Sequence, residues 1–391
     1  MDKAQKNIVF ISHSKLTERI MRSYSLDRML QEYNVQFWDI GQIFRPAYVD
    51  LGYVTGDYIK TIPDLPALEL MLNGLDSSSI LITDLNHSYI FRSFFITLKK
   101  YSFTFMHLDL VTVGPAGAAK KTLYSRLINI FRNPIRYLNL AASKVHIGYL
   151  IKTGKLRKFD YQFCRGEVLN QLVSEYADKN IAINSPDYDE FLSDCLDQGN
   201  AEDDEAGYAV FLDVYLPYHP DLPVMGLKHL KDPEGYFLSM NALFTEVEKK
   251  YSLKVIIAAH PSAAYRGDEF NAREIIHGET AALVKGSEFV LSHHSNSLAY
   301  AVLYEKPCLF CYTDEMYRLY NNSLLHHQNC YAEYLACSTY NITNLLDEGI
   351  PNISRCISLP RYKQFVNDYL TSPASRDRQS ADIIINAIDS L

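Results

Sequence analysis

The sequence predicts an α/β protein built from two doubly wound parallel sheets in tandem. Three observations predict it. Short, continuous apolar runs alternate with helical stretches along both halves of the chain, the pattern of parallel strands covered on both faces. A length of 391 residues exceeds one ordinary core, and roughly two domains of about 150–200 residues are expected. A polar, acidic, turn-prone stretch from Gln198 to Gly207 separates the two series. The first domain is therefore expected over 1–197, the linker over 198–207 and the second domain over 208–374. A C-terminal helix over 375–391 is expected to pack back on the first domain.

The elements follow in order. Asn7 to Ser12 is a continuous apolar run and reads as the first strand. Ser14 to Glu32 reads as one helix, with Leu16, Ile20, Met21, Leu26, Met29 and Leu30 as its apolar set. Val35–Ile40, Ser79–Asp84, Phe103–Leu108 and Ile181–Asn184 are the further strands of the first half. Ser185 to Glu190 breaks the pattern, and Phe191 to Leu196 reads as a short helix. The second series opens at Tyr208–Leu212. It continues with a helix over Pro233–Tyr251, a strand over Lys254–Ala259, a helix near Thr280–Lys285, a strand over Glu288–Ser292, a helix over Ser295–Tyr304 and a strand over Cys308–Tyr312. Strand–helix alternation implies right-handed crossovers. Two such sheets imply a ligand cleft at the carboxyl ends of the strands.

Composition sets limits on the partners. Hydrophobic content of 48% with 21% charged residues describes an ordered globular chain. From Leu110 to Phe159 there are ten lysines and arginines and no acid, so the net charge of −8 leaves −18 for the remainder. Such a basic stretch, 110–159, is either the solvated face of an amphipathic helix pair or a docking surface for an anionic membrane leaflet. The start of the chain lacks a secretory leader pattern. No apolar run approaches the roughly 20 residues needed to span a bilayer. A cytoplasmic protein is expected, peripheral on the inner face of the bacterial inner membrane if the basic stretch docks there. No nucleic-acid partner is expected. Seven cysteines at irregular spacing read as reduced thiols. Cys308-x-x-Cys311 with His326, His327 and Cys330 has some zinc character. A second such pair is missing, and no metal site is expected.

The chemistry-bearing residues gather where strands of the second half end. Asp213, His219 and Asp221 lie in the loop after the first strand, His260-Pro261 and Arg266 after the second. Gly278-Glu279-Thr280 opens a helix, and His293-His294-Ser295-Asn296-Ser297 bridges a strand and a helix. Ser295, Asn296 and Ser297 suit N-capping, for which one such residue suffices. Three of them beside two histidines also suit a phosphate on unpaired backbone N–H groups. His260 is either a satisfied surface group or a donor to a phosphate oxygen, and Arg266 either solvated or a charge-assisted second contact. Asp213 either caps a turn or acts on the ligand, and with Asp221 it suits chemistry at an anomeric carbon. The chain has no Walker-A loop and no GxGxxG. Gly114-Pro-Ala-Gly117 departs from both. Asp187-Tyr-Asp189 spells a diphosphate–metal motif but stands at the apparent hinge.

Two tandem αβ domains, His260-Pro261 after a strand, and Ser295–Ser297 followed by Leu298-AYAVLYEKP-Pro307 resemble the GT-B glycosyltransferases, whose two domains are Rossmann-like. Within them the chain looks most like bacterial enzymes that use CMP-activated ulosonic acids, and specifically the retaining β-Kdo transferases of capsule and O-antigen synthesis. The resemblance implies that His260, Pro261, Ser295, Asn296 and Ser297 bind the CMP moiety, with Glu279 and Thr280 beside them, and the reading of the residues adds Arg266 as a candidate nucleotide contact. It implies Asp213 as catalytic carboxylate, a nucleophile in a retaining enzyme, and an Asp as base in an inverting one; the reading of the loop adds His219 and Asp221 as catalytic candidates. The expected function is metal-independent transfer of a 2-keto sugar acid from a CMP donor to a glycan or lipid-linked glycan. The donor is a co-substrate, and no cofactor is expected. The acidic Asp/Glu-Asp/Glu-Gly motif of some sialyltransferases has no clear match here. The alternatives are a transferase using CDP-glycerol or a UDP-sugar, a UDP-sugar 2-epimerase, and a non-catalytic glycan-binding protein.

Overall fold

A computed structural model describes residues 6–44, 53–108, 114–115, 134–168, 176–196 and 207–391. The chain forms two compact units. One comprises Met1–Thr112, Lys120–Pro186 and Thr371–Leu391, the other Val113–Ala119 and Asp187–Leu370. Residues 198–206 of the expected linker lie outside the described residues. So do Lys120, Lys121, Arg126 and Arg132 of the basic stretch and the side chain of Arg136. Among the described residues no helix is long and apolar enough to cross a membrane.

The first unit is organised around a seven-stranded parallel sheet in the order β3-β2-β1-β4-β5-β6-β7. Its strands are β1 (Asn7–Ser12), β2 (Asn34–Asp39), β3 (Ile59–Thr61), β4 (Ile80–Thr83), β5 (Thr104–Leu108), β6 (Phe159–Arg165) and β7 (Ala177–Ile183). The unbroken apolar run of β1 has a direct cause. Ile8 and Phe10 pack on one face with Met29 and the last helix, Ser380–Asp389, through Ile384 and Ile388. Val9 and Ile11 pack on the other face with Leu68, Leu72, Phe94 and Phe95. Successive side chains of a strand point to opposite faces, so a doubly covered strand must be apolar throughout.

The second unit holds a six-stranded parallel sheet in the order β10-β9-β8-β11-β12-β13. Its strands are β8 (Tyr208–Leu212), β9 (Lys254–Ala259), β10 (Ile275–His277), β11 (Phe289–Ser292), β12 (Cys308–Tyr312) and β13 (Ser338–Asn341). The helix Pro233–Tyr251 covers one face. Asp232 caps it by accepting from the Gly235 N–H at 2.8 Å, and Pro233 occupies its first turn. Tyr236, Phe237, Met240, Leu243, Phe244 and Val247 repeat at helical spacing and are buried against Phe211, Ile257 and Leu291. Burying each such side chain contributes about 1.5–3 kcal/mol.

The strand pattern differs from the sequence reading at four short or polar strands, β3, β6, β10 and β13. Three of them have three or four residues and lie at sheet edges. The fourth, β6, carries Asp160, Gln162 and Arg165 among its apolar residues. The single helix expected over Ser14–Glu32 is two, Glu18–Ser23 and Leu26–Glu32, because Ser25 between them takes the left-handed conformation with φ 52°. The break expected at Ser185–Glu190 is helix instead. Pro186 starts an eleven-residue helix that runs to Leu196, since proline at the first helical position costs no hydrogen bond.

In both sheets the strand order reverses beside the first strand of the unit, between β1 and β4 and between β8 and β11. At such a reversal the loops diverge to opposite faces and leave a crevice at the carboxyl ends.

Candidate functional site

The crevice of the second unit is built by three loops. β8 and β11 end in register, Leu212 beside Ser292, so Asp213 and His293 emerge abreast. β9 ends one strand away and delivers His260.

Asp213 is 4% exposed, and both of its oxygens are engaged. Oδ1 accepts from the Tyr215 N–H at 2.8 Å, closing a tight turn in which Tyr215 takes φ 49°. Oδ2 accepts from the Tyr265 hydroxyl at 2.7 Å and from the His260 N–H at 3.3 Å. The Asp213 N–H donates to the Ala258 carbonyl at 3.1 Å. Burial pushes the carboxyl above its ordinary range, and the bonds from Tyr265, Tyr215 and His260 pull it back. The carboxylate thus ties the β8 and β9 loops to each other from below.

Above it the rings of His219 and His260 lie 4.9 Å apart, both half-buried. Nδ1 of His260 accepts from the Ser262 N–H at 3.2 Å. In the neutral ring the proton then sits on Nε2, which makes Nε2 the hydrogen-bond donor.

His293 and His294 follow the end of β11 and differ in their surroundings. His293 points into the core and is fully buried. Its Nδ1–H donates to the Cys311 carbonyl at 2.6 Å, and its Nε2 accepts from Tyr236 at 2.9 Å. Burial pulls its pKa down to about 4. His294 is ringed by protein yet keeps partial solvent access, as a group on the floor of a recess does. Burial pulls its pKa down to about 3, and His293, His327 and His219 add repulsion. His327 comes from the helix Leu324–Leu335. Imidazoles from four elements therefore converge at the crevice, and both oxygens of Asp213 there are occupied.

The serine-rich segment differs from the sequence reading in one respect. The helix begins at Leu298, not Ser295, and runs only six residues to Leu303. The N–H groups of Leu298, Ala299 and Tyr300 donate to the carbonyls of Ser295, Asn296 and Ser297, and the Ser297 N–H donates to Ser295 Oγ at 3.2 Å. The tight turn satisfies the first donors of this short helix. What the segment offers a ligand is hydroxyls and an amide: Ser295 and Ser297 half-buried, Asn296 exposed.

The other expected residues are more dispersed. Glu279 is exposed and Thr280 half-buried at the end of β10. β10 is an edge strand three positions from β11, about 14 Å away at normal strand spacing. Pro261 and Arg266 are exposed, and Glu269 holds the Arg266 N–H at 2.9 Å. Asp221 begins a short helix, and its side chain lies outside the described residues. Cys308 and Cys311, three apart on β12, point to opposite faces, one toward Tyr362 and the other toward His293. Among the described residues no three His, Cys, Asp or Glu side chains are placed to hold a metal. Tyr265 and Tyr215, which complete the Asp213 anchor, carry no signal in the sequence. His327 stood there only as part of a zinc pattern.

No protein-family model and no curated protein sequence matches the chain. Solved structures do. A variant of the wall teichoic acid polymerase TagF is similar at 13% identity over 98% of this chain and 89% of that one, with a TM-score of 0.50. The Methanocaldococcus jannaschii UDP-GlcNAc 2-epimerase in complex with UDP-GlcNAc and UDP is 12% identical over 98% and 99% of the two chains, at 0.46. S. aureus MnaA with UDP is 13% identical over 99% and 96%, at 0.43. The polymerase match, with the two parallel sheets, shows a two-domain Rossmann-like GT-B fold.

Proposed function

We propose that the chain is a glycosyltransferase that moves a 2-keto sugar acid, Kdo or a related ulosonic acid, from a CMP-activated donor to a bacterial surface glycan. The observation that carries this reading is the convergence of His219, His260, His294 and His327 at the reversal point of the second sheet. Imidazoles that donate N–H bonds and gain charge beside an anion suit a phosphate. A departing CMP is a monophosphate, whose charge these rings can offset. Ser295, Asn296 and Ser297 would bond its oxygens from the β11 side. Glu279 and Thr280, two strands beyond β8, stand where an extended nucleotide would end, and Pro261 and Arg266 line the approach. His219 is the ring nearest the leaving oxygen in this reading, and Asp221 would lie on the same loop.

Asp213 enters as the carboxylate that shapes the donor loop. Direct action at the anomeric carbon would require Tyr265 to release Oδ2.

A thermal-shift screen of CMP, CDP, UDP and GDP tests the reading, because a ligand that binds only the folded state raises the melting point. CMP should raise it most, and His260→Ala should remove the shift. A larger shift with CDP or UDP would move the donor to CDP-glycerol or a UDP-sugar. No shift with any of the four would leave a glycan-binding protein as the better reading.

A further inference from the structure

The second sheet carries a pair of thiols at the amino ends of its strands, the pole away from the crevice. β12 and β13 run parallel with Leu309 opposite Ser338. Cys308 and Cys337 each stand one position before that pair. Neighbours in register project to the same face, and adjacent strands lie about 4.8 Å apart. A disulfide spans Cα separations of about 4.4–6.8 Å, so the two residues can be joined without moving the strands. Both are free thiols, and their side chains hydrogen-bond to each other. The hydroxyl of Tyr362, from the helix Leu359–Phe365, lies 3.9 Å from Cys308 Sγ and 3.7 Å from Cys337 Sγ. It donates to the Lys306 carbonyl at 3.0 Å. Cys311, the other cysteine of the CxxC spacing, points to the opposite face of β12 toward His293.

Both backbones are held in place. Pro307 restricts the chain just before Cys308, and its carbonyl accepts from the Val290 N–H at 2.8 Å. Ala336 closes the helix Leu324–Leu335 in the left-handed conformation with φ 56°. The Cys337 N–H then donates to the Ala332 carbonyl at 2.9 Å, a capping bond that fixes where its side chain starts.

The two sulfurs differ in character. Cys308 is buried and Cys337 half-buried. The hydrogen bond from Cys308 pulls the Cys337 thiol down, while that bond and burial hold the Cys308 thiol well above its ordinary range. The thiolate is the nucleophile, so Cys337 attacks and Cys308 resolves.

We propose that Cys308 and Cys337 form a redox modification site that hydrogen peroxide converts to a disulfide. The Cys337 sulfur bonds to one peroxide oxygen, the O–O bond breaks, and the departing hydroxide takes up the thiol proton and leaves as water. The Cys308 sulfur then attacks the sulfur of the Cys337 sulfenic acid. The S–O bond breaks, and a second water carries away the Cys308 proton. Two thiols and one peroxide give one disulfide and two waters, and a dithiol reductant reverses the oxidation. The bridge locks the edge strand β13 and the last turn of the helix that carries His327 to β12. None of this depends on which ligand the crevice takes.

The test treats the full chain with hydrogen peroxide, alkylates the remaining thiols and maps the digest by mass spectrometry. A peptide pair joined through Cys308 and Cys337 is expected, released again by dithiothreitol and absent in Cys337→Ser. In Cys308→Ser, dimedone should trap a sulfenic acid on Cys337. The oxidised wild type should melt roughly 3–8 °C above the reduced protein, a difference that Cys337→Ser should lack. The exposed Cys195 and Cys356 report that the oxidant has acted. If they are oxidised while Cys308 and Cys337 remain thiols, the site is overturned. Arrest of Cys337 as a sulfinic acid beside an untouched Cys308 would overturn it as well. A bridge that leaves the melting point unchanged would overturn the locking of β13.

Discussion

The two sheets share the order of their first six strands, and each sets an aspartate with a buried side chain beside its reversal, after the first strand in one and after the fourth in the other, yet they use it in opposite ways. Asp213 follows the first strand of its unit and has both oxygens satisfied by Tyr215, Tyr265 and His260. Asp84 follows the fourth strand and leaves one oxygen facing an imidazole at 3.6 Å. One carboxylate is spent on holding loops together. The other keeps one oxygen unsatisfied beside the His13 imidazole. Topology fixes where a ligand can be met, and the state of hydrogen bonding at that edge decides what each group can do.

The largest effect expected from this comparison is common to both units. His87 and His107 in the first, and His293 and His294 in the second, are held neutral by burial, with pKa values near 4, 4, 4 and 3. Unfolded imidazoles take up protons below about 6.5 while the folded ones stay neutral, so the unfolded state binds more protons as pH falls. Stability is therefore full above about pH 7.5 and declines from about 6.5 down to the folded values. Each ring contributes a slope of about 1.4 kcal/mol per pH unit within that window. Urea unfolding at pH 7.5, 6 and 5 should show a loss of several kcal/mol, and His293→Gln should flatten the slope. A pH-independent midpoint would mean that these rings are more open than the fold shows.

The next effect separates the two aspartates. Asp213→Asn replaces one acceptor by a donor facing Tyr265 and His260, and should cost about 1–3 kcal/mol of stability. Asp84→Asn keeps the bond from Ser12 and removes a buried charge, so its melting point should stay close to that of wild type. Equal losses in the two variants, read by thermal unfolding, would erase the distinction between an anchoring and a poised carboxylate.

That distinction was out of reach from sequence alone. Asp213 stood out because it ends an apolar run, and Asp84 ends one as well, in Ile80-Leu-Ile-Thr-Asp84. What tells them apart is Tyr265, 52 residues beyond Asp213, and His13, 71 residues before Asp84. Contacts at such separations leave no local period. The core strands were legible because burial on both faces forces continuous apolar runs, whereas edge strands such as Ile275–His277 are too short to impose one. The serine-rich segment was legible as a turn into a helix, but the helix length was not. Tyr304 closes the helix, with its N–H bonded back to the Tyr300 carbonyl.

A smaller effect tests the imidazole crevice itself. A phosphate beside His294 favours the charged ring and raises its pKa from the low value of the empty site. Binding then takes up a proton, so CMP should bind about tenfold more weakly at pH 7 than at pH 5. The phosphate titrates near pH 6 on its own account, and that contribution is common to wild type and His294→Gln. The difference in their pH dependence, measured calorimetrically, isolates the ring. Parallel profiles would mean that His294 is no phosphate ligand, and the donor site would then rest on His219 and His260.

The smallest expected effect falls on Ser297. Had the helix started at Ser295 with open N–H groups, the backbone would hold the phosphate, and the hydroxyl would add little. In the fold the helix starts at Leu298, its first N–H groups are bonded to the carbonyls of Ser295, Asn296 and Ser297, and the Ser297 N–H is bonded to Ser295 Oγ. The six-residue helix also adds only a weak dipole at its start. The hydroxyl is then one neutral donor among several, and its loss should cost about 1 kcal/mol. Ser297→Ala should therefore weaken CMP binding only about fivefold, with the melting point of the free protein unchanged. A loss of a hundredfold or more would mean that the turn opens when the ligand arrives and presents its backbone. The second unit would then bind phosphate through main chain, and the contrast with the side-chain pair of the first would be sharper still.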